Sequence, residues 1–195
     1  VTQTVKQVAK VPVWAKLTPA TSNIALEAGA VFRGGADAVV SSNTFPSLPL
    51  IDQETLEFEI NVDGLVSSGG LGGPAILPMS LCNMARMCQA FPDKAFSGIG
   101  GIAEFAHALN YFLLGCGTVQ VCTAAMLDHA IGSTIIKELT GGLRAFLDQH
   151  AAKLELGVGI VAVSLSKSFA ERSGGLFQVA AARQGDELLG EGPEL

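Results

Sequence analysis

Residues 11–42 read VPVWAKLTPATSNIALEAGAVFRGGADAVVSS, and this stretch decides the fold. Segment 11–17 is short, apolar and closed by Thr18-Pro19, which predicts a strand. A helix is expected over residues 22–33, with Ser22 or Asn23 as N-cap and Gly34-Gly35 as the stop. Residues 36–42, ADAVVSS, form an apolar run with the length of a buried strand. A strand–helix–strand unit of this kind requires a crossover, which sets its two strands parallel.

The same unit recurs downstream. Residues 94–98 predict a strand, Gly100-Gly101 a turn, and residues 103–114 a helix closed by Gly115. TVQVCT at 118–123 predicts a fourth strand, leading into a helix within 124–139. A last amphipathic helix is expected over 142–153, packing by Leu143, Phe146 and Leu147. Between the second and third strands, residues 43–73 carry FPSLP, the alternating LEFEINV and the glycine-rich SSGGLGG. They predict a long loop with a small hairpin, and loops of this size are usually functional or disordered. A helix over 76–90 follows, with Ile76, Met79, Leu81, Met84 and Met87 at near-helical spacing, a pattern expected of core packing.

Four strands, each followed by a helix, thus fall within about 150 residues, whereas a complete eight-stranded α/β barrel takes roughly 200 to 250. The expected fold is α/β, of the parallel (β/α) TIM-barrel type, comprising its C-terminal half. Residues 1–153 make that half-barrel, and 154–195 form a tail of unassigned structure. A half-barrel exposes two strand edges and an interior face. The apolar run 157–163 is a candidate cover for them.

Composition agrees with a chain that needs such cover. Of 195 residues, 49% are hydrophobic and only 15% charged, and the mean hydropathy is +0.42. That balance suggests strands covered on both faces or a large partner surface. A net charge of −6 with scattered Lys and Arg argues against nucleic-acid binding. Four cysteines, Cys82, Cys88, Cys116 and Cys122, form no C-x-x-C pair, so they read as free thiols in a reducing compartment. No stretch has the length of a membrane span, and the expectation is a soluble protein of the cytoplasm or an organelle matrix. Val1 in place of Met suggests that the biological N-terminus lies elsewhere.

Active sites of parallel α/β barrels gather at the C-terminal ends of the strands. The first strand presents Lys16 and Thr18 there, the second Asn43-Thr44, the third Gly98, Gly100 and Gly101, and the fourth Cys122-Thr123. Glycines at a strand–helix turn bring bare backbone N–H groups to an anion, and the last two strands of such barrels often build a phosphate site. Lys16 either runs to the barrel rim or places a cation at a ligand. Asn43 offers both a donor and an acceptor, or else simply turns the chain.

Five ordered stretches, VPVWAKLTP, GGADAVVSSNT, GGLGGPAILPMSL, FSGIGGI and GTVQVCTAAM, resemble the flavin-binding barrel of the dihydropyrimidine dehydrogenases. The likeness is strongest to the catalytic subunit of the bacterial NAD-dependent type, and more distant to class 1 dihydroorotate dehydrogenases. The resemblance implies an FMN-dependent oxidoreductase of pyrimidine catabolism. Such an enzyme reduces the C5–C6 double bond of uracil or thymine, with NAD(P)H electrons passed through iron–sulfur clusters in partner regions. It implies Lys16 beside the flavin ring, Asn43 and Thr44 at the pyrimidine, and Gly73 against the FMN. Ile99, Gly100 and Gly101 would form the phosphate loop, with Cys122 and Thr123 as a second phosphate contact. The family's catalytic cysteine sits in an N-x-S-C-P-type loop that this sequence lacks, so no catalytic residue is assigned. Ala20 stands where the family usually has Asn, and Leu77 where Arg or Lys is common. The expected partners are a pyrimidine base and a complementary half-barrel, a homodimer partner or a larger assembly. The alternative is an inactive half-barrel relic serving as a structural or accessory subunit.

Overall fold

The computed structural model describes residues 1–66 and 68–155. A short helix α1 (Thr2–Val8) precedes strand β1 (Trp14–Leu17), helix α2 (Ile24–Arg33) and strand β2 (Ala38–Ser41). The cap of α2 is Asn23, whose side chain accepts from the N–H of Ala25 at 3.2 Å and of Leu26 at 3.3 Å. The excursion at 43–73 holds β3 (Phe45–Ser47), β4 (Asn61–Val62), β5 (Leu65–Val66) and β6 (Gly69–Leu71). A short 3-10 turn, Pro74–Ile76, then leads into α3 (Leu77–Ala90), β7 (Phe96–Ile99), α4 (Phe105–Leu113), β8 (Thr118–Gln120), α5 (Thr123–Leu127) and α6 (Ile131–Glu155).

The main sheet has the order β1-β2-β7-β8, and every neighbouring pair is parallel. This is the expected set of four strands, each a few residues shorter than its apolar run. The excursion pairs β3 with β6 and β4 with β5, both antiparallel. Asp63 and Gly64, at φ 52° and 77°, supply the two left-handed positions that a tight hairpin between β4 and β5 requires.

Register separates the two faces of the sheet, because residues side by side in a parallel ladder point the same way. Ala15, Val39 and Phe96 form one row, followed by Leu17, Ser41, Gly98 and Val119. Leu17, Val39 and Phe96 belong to the hydrophobic core, together with Ile24 and Ala28 of α2, Met84, Met87 and Cys88 of α3, and Ala108, Tyr111 and Phe112 of α4. This face carries the helices. Phe32 lies edge-on to both Phe91 and Phe96, at centroid distances of 5.7 and 5.6 Å. The other face presents Trp14 and Ala38, then Lys16, Val40, Ser97 and Thr118, then Ile99 and Gln120. Hydroxyl, amide and ammonium groups share it with the apolar Trp14, Ala38, Val40 and Ile99.

Three expectations change. Met79 is 40% exposed while Ser80 is fully buried, because the buried face of α3 runs Ser80, Met84, Met87 and Cys88 at helical spacing and Met79 lies off it. The two helices expected within 124–153 are instead α5 and one long α6 that runs through Gly141-Gly142. Gly in a helix interior costs about 1 kcal/mol relative to Ala, but here the missing side chain admits a neighbour. A Cβ at Gly142 would come within 3.0 Å of the Phe105 ring on α4. The helix α1 had no counterpart in the sequence reading. It buries no residue and rests at the N-terminal end of the sheet, where Lys6 Nζ meets Asp37 Oδ2 at 2.8 Å. The same oxygen accepts the Val13 N–H at 2.6 Å. The tail and its run 157–163 lie outside the described residues.

Candidate functional site

The C-terminal ends of the four strands form one rim. β2 ends in Ser41-Ser42, joined by a cis peptide bond, and Asn43 follows. The Asn43 N–H donates to the carbonyl of Leu17 at 2.9 Å, which ties it to the end of β1. Its Oδ1 accepts the Thr44 N–H at 2.9 Å, so the amide NH2 is the part left to face outward. Asn43 and Thr44 are both exposed. Lys16 is also exposed, two rows from Trp14 on the polar face and level with Val40 and Ser97. Deeper on that face, Gln120 Nε2 donates to Ser97 Oγ at 3.1 Å.

The excursion crosses this rim from β2 to β8. A side chain at Gly70 would collide with Thr44, so the glycine lets β6 lie flat against the residue after β2. A side chain at Gly72 would meet Thr123 Oγ1 at 3.1 Å, and one at Gly73 would meet Thr123 Cγ2 at 3.3 Å. Gly73 has φ +78°, a left-handed conformation that disfavours any other residue. Thr44, the 70–73 backbone and Thr123 therefore make a continuous edge. Cys122 precedes α5 and is exposed as a free thiol.

The third strand end is the most constrained part. Gly100 and Gly101 adopt φ +121° and +76° in succession. A Cβ at Gly101 would lie 2.6 Å from Cβ and 2.8 Å from N of Leu77, at the start of α3. The loop is thus pressed onto a helix terminus, with space only for backbone. Among the described residues, neither glycine N–H donates in a turn, loop or cap backbone hydrogen bond. Adjacent backbone N–H groups free of internal partners, in positive-φ conformations, are the usual construction of an anion site.

All nine residues expected at a site stand at these strand ends or in the excursion that crosses them. Contact joins Thr44, Gly73 and Thr123 through the glycine backbone, whereas Lys16 makes no ion pair among the described residues. The sequence reading missed Ser97, Gln120, Gly70, Gly72, Ser80 and Tyr111. Gly70 and Gly72 were visible in GGLGGPA as more than one necessary glycine. A single tyrosine beside Phe112 and Leu113 was the available signal for Tyr111. Ser97 and Gln120 needed the ladder register.

The family described as dihydroorotate dehydrogenase matches residues 1–143. The chain belongs to that family. Members similar to it include the chloroplastic dihydropyrimidine dehydrogenase (NADP(+)) of Arabidopsis thaliana, 37% identical over 147 residues, which is 73% of this chain and 34% of that protein. The NAD-dependent dihydropyrimidine dehydrogenase subunit PreA of Escherichia coli K12 is 34% identical over 159 residues, covering 80% and 38%. The dihydroorotate dehydrogenase B (NAD(+)) catalytic subunit of Methanocella arvoryzae is 31% identical over 163 residues, covering 82% and 50%. The chain therefore spans between about a third and a half of the length of these family members. The parallel α/β sheet described above is the family's barrel architecture in part. No helix among the described residues is long and apolar enough to cross a membrane.

Proposed function

We propose that the rim binds FMN and that the chain is part of an FMN-dependent oxidoreductase acting on pyrimidines. The observation that carries this reading is the Ile99-Gly100-Gly101 turn, with two positive-φ glycines and no room for side chains on its α3 flank. Such a turn suits a phosphate monoester, which needs several N–H donors at close approach. Thr123 would add a hydroxyl, and the Cys122-Thr123 backbone a second phosphate contact. Gly73 offers bare backbone to a ring system. Lys16 stands on the polar face at the first strand, where its ammonium would hold negative charge developing on a reduced flavin. The residues present therefore fit the phosphate and one edge of FMN.

When bound, FMN supplies hydride transfer. The chain's own residues bind and orient. Asn43 presents an amide donor outward and Thr44 a hydroxyl, matching the alternating donors and acceptors of a pyrimidine amide edge. The finer reading is reduction of the C5–C6 bond of uracil or thymine, in which hydride and a proton add across the bond and NAD(P)H supplies the electrons. It is supported by the likeness to two dihydropyrimidine dehydrogenases. The proton donor would come from outside this chain, as would the iron–sulfur clusters and the nicotinamide site. A complementary half-barrel, a second copy or a larger assembly would complete the interior.

The test is the visible absorbance of the native protein, with mass spectrometry of what co-purifies. A band near ~450 nm that NAD(P)H bleaches, with FMN in the mass spectrum, is the expected result. A colourless protein that takes up no FMN when its partner is supplied overturns this reading in favour of an inactive scaffold.

A further inference from the structure

Tyr111 is the only tyrosine of the chain and lies fully buried on α4. Packing alone would be served by its ring. Its hydroxyl lies 2.7 Å from the carbonyl oxygen of Gly100 and 3.1 Å from that of Ile99. One O–H donates to the nearer acceptor and shares with the farther. Ser80 of α3, also fully buried, flanks the same turn, since a Cβ at Gly100 would strike the Ser80 side chain. Ser80 Oγ meets no hydrogen-bond partner among the described residues. Burial pushes the Tyr111 phenol well above its usual range, so its O–H stays a donor. Two hydroxyls thus stand behind the glycine turn.

The stereochemistry of the peptide group gives this arrangement a consequence. In a planar trans peptide the carbonyl and the following N–H point in opposite directions. Holding the Ile99 carbonyl toward α4 turns the Gly100 N–H away from it. Holding the Gly100 carbonyl there turns the Gly101 N–H away as well.

We infer that Tyr111, flanked by Ser80, is a positioning residue for anion binding: it anchors two carbonyls on the helix side and so presents the N–H groups of Gly100 and Gly101 together to a phosphate monoester. The inference rests on the reading of this turn as the FMN phosphate site. It adds a device outside the rim, two side chains that never touch the ligand.

The experiment titrates the full chain and its Tyr111→Phe, Ser80→Ala and double variants with inorganic phosphate, FMN and riboflavin. Amide resonances of Gly100 and Gly101 report the site, and urea unfolding is measured alongside. Phosphate and FMN should shift both amides in the wild type. Tyr111→Phe should weaken both ligands roughly fivefold to tenfold, the scale of one lost hydrogen bond to the turn, and leave riboflavin unaffected. Ser80→Ala, which opens space behind Gly100, should weaken them about twofold, and the double variant should weaken them at least as much as Tyr111→Phe. A hydroxyl that serves stability alone would lower the urea midpoint and leave the affinities unchanged, which overturns the inference. If FMN binds equally to wild type and Tyr111→Phe, the positioning role fails and the flavin reading stands. If phosphate binds and responds to the variants but FMN does not bind, the flavin reading fails and the positioning role stands. Silence of both glycine amides to every ligand overturns both.

Discussion

The two faces of the sheet obey different rules although they share the same four strands. On the helix side, Leu17, Val39 and Phe96 are apolar and buried against Met84, Met87 and Tyr111. On the opposite side, Lys16, Ser97, Thr118 and Gln120 alternate with Val40 and Ile99. Among the described residues, the helix face holds one buried hydroxyl without a hydrogen-bond partner, Ser41, but no ammonium or amide, whose unpaired burial would cost several kcal/mol. The polar face is instead the kind of surface that lines a ligand. The contrast teaches that stability and chemistry are written on alternate residues of each strand. Neighbouring substitutions should therefore have opposite signatures.

The largest effect is expected on the helix side. Met84 is fully buried, and Met84→Ala should lower unfolding free energy by about 3 kcal/mol through lost burial and the cavity left behind. Urea unfolding measures it, and a loss under about 1 kcal/mol would mean that α3 is not seated on the sheet as described.

The adjacent pair Ser97 and Gly98 sharpens the comparison within one strand. A Cβ at Gly98 would sit 2.8 Å from Cβ of Tyr111, whose ring is buried and tied at its hydroxyl. Gly98→Ala should therefore cost about 2 kcal/mol from overpacking. Ser97→Ala removes one hydrogen bond to Gln120 and should cost about 1 kcal/mol or less. Equal losses from the two variants would erase the distinction between faces.

Why some of this was legible and some not follows from the same alternation. The strand–helix–strand units appeared in the sequence because apolar runs, the Asn23 cap and the Gly34-Gly35 stop are local signals. The strand ends were legible for the same reason, since Asn43-Thr44, Gly100-Gly101 and Cys122-Thr123 follow directly from where the apolar runs stop. Features set by contact between distant segments were not legible. Gly142 looked like a helix boundary because nothing local announces that Phe105 packs over it. Met79 looked like core because it is apolar, whereas the position in line with Met84 and Met87 belongs to Ser80. Ser80 and Tyr111 are separated by thirty-one positions, and only the fold puts both behind Gly100. The roles proposed for Lys16 and Gly73 come from the five-stretch resemblance, since composition leaves them open.

Lys16 offers the next test, on the polar face. It makes no ion pair among the described residues, so Lys16→Gln should move unfolding free energy by less than about 0.5 kcal/mol. In the completed protein the same change should weaken FMN binding or slow flavin reduction by roughly tenfold. Fluorescence titration and stopped-flow reduction read the second quantity. A variant that unfolds as easily as Met84→Ala would make the ammonium a structural group and remove the functional distinction between the faces.

The smallest effect lies at the opposite end of the strands, away from both faces. Lys6 donates a hydrogen bond to Asp37, and the Val13 N–H donates another, so the Asp37 carboxyl is held below its usual value of 3.8. A group depressed in the folded state stabilises above its unfolded pKa, and that contribution disappears as pH falls through the folded value. The window therefore lies below about pH 4. The residue is exposed, so the effect should be a shallow extra fall in Tm on acidification, weaker at high salt. Asp37→Asn should flatten that part of the Tm profile and leave anion binding at Gly100 and Gly101 unchanged. If the variant instead altered phosphate affinity, the N-terminal end of the sheet would be coupled to the rim, and the separation of stability from chemistry would hold across the faces but not along the strands.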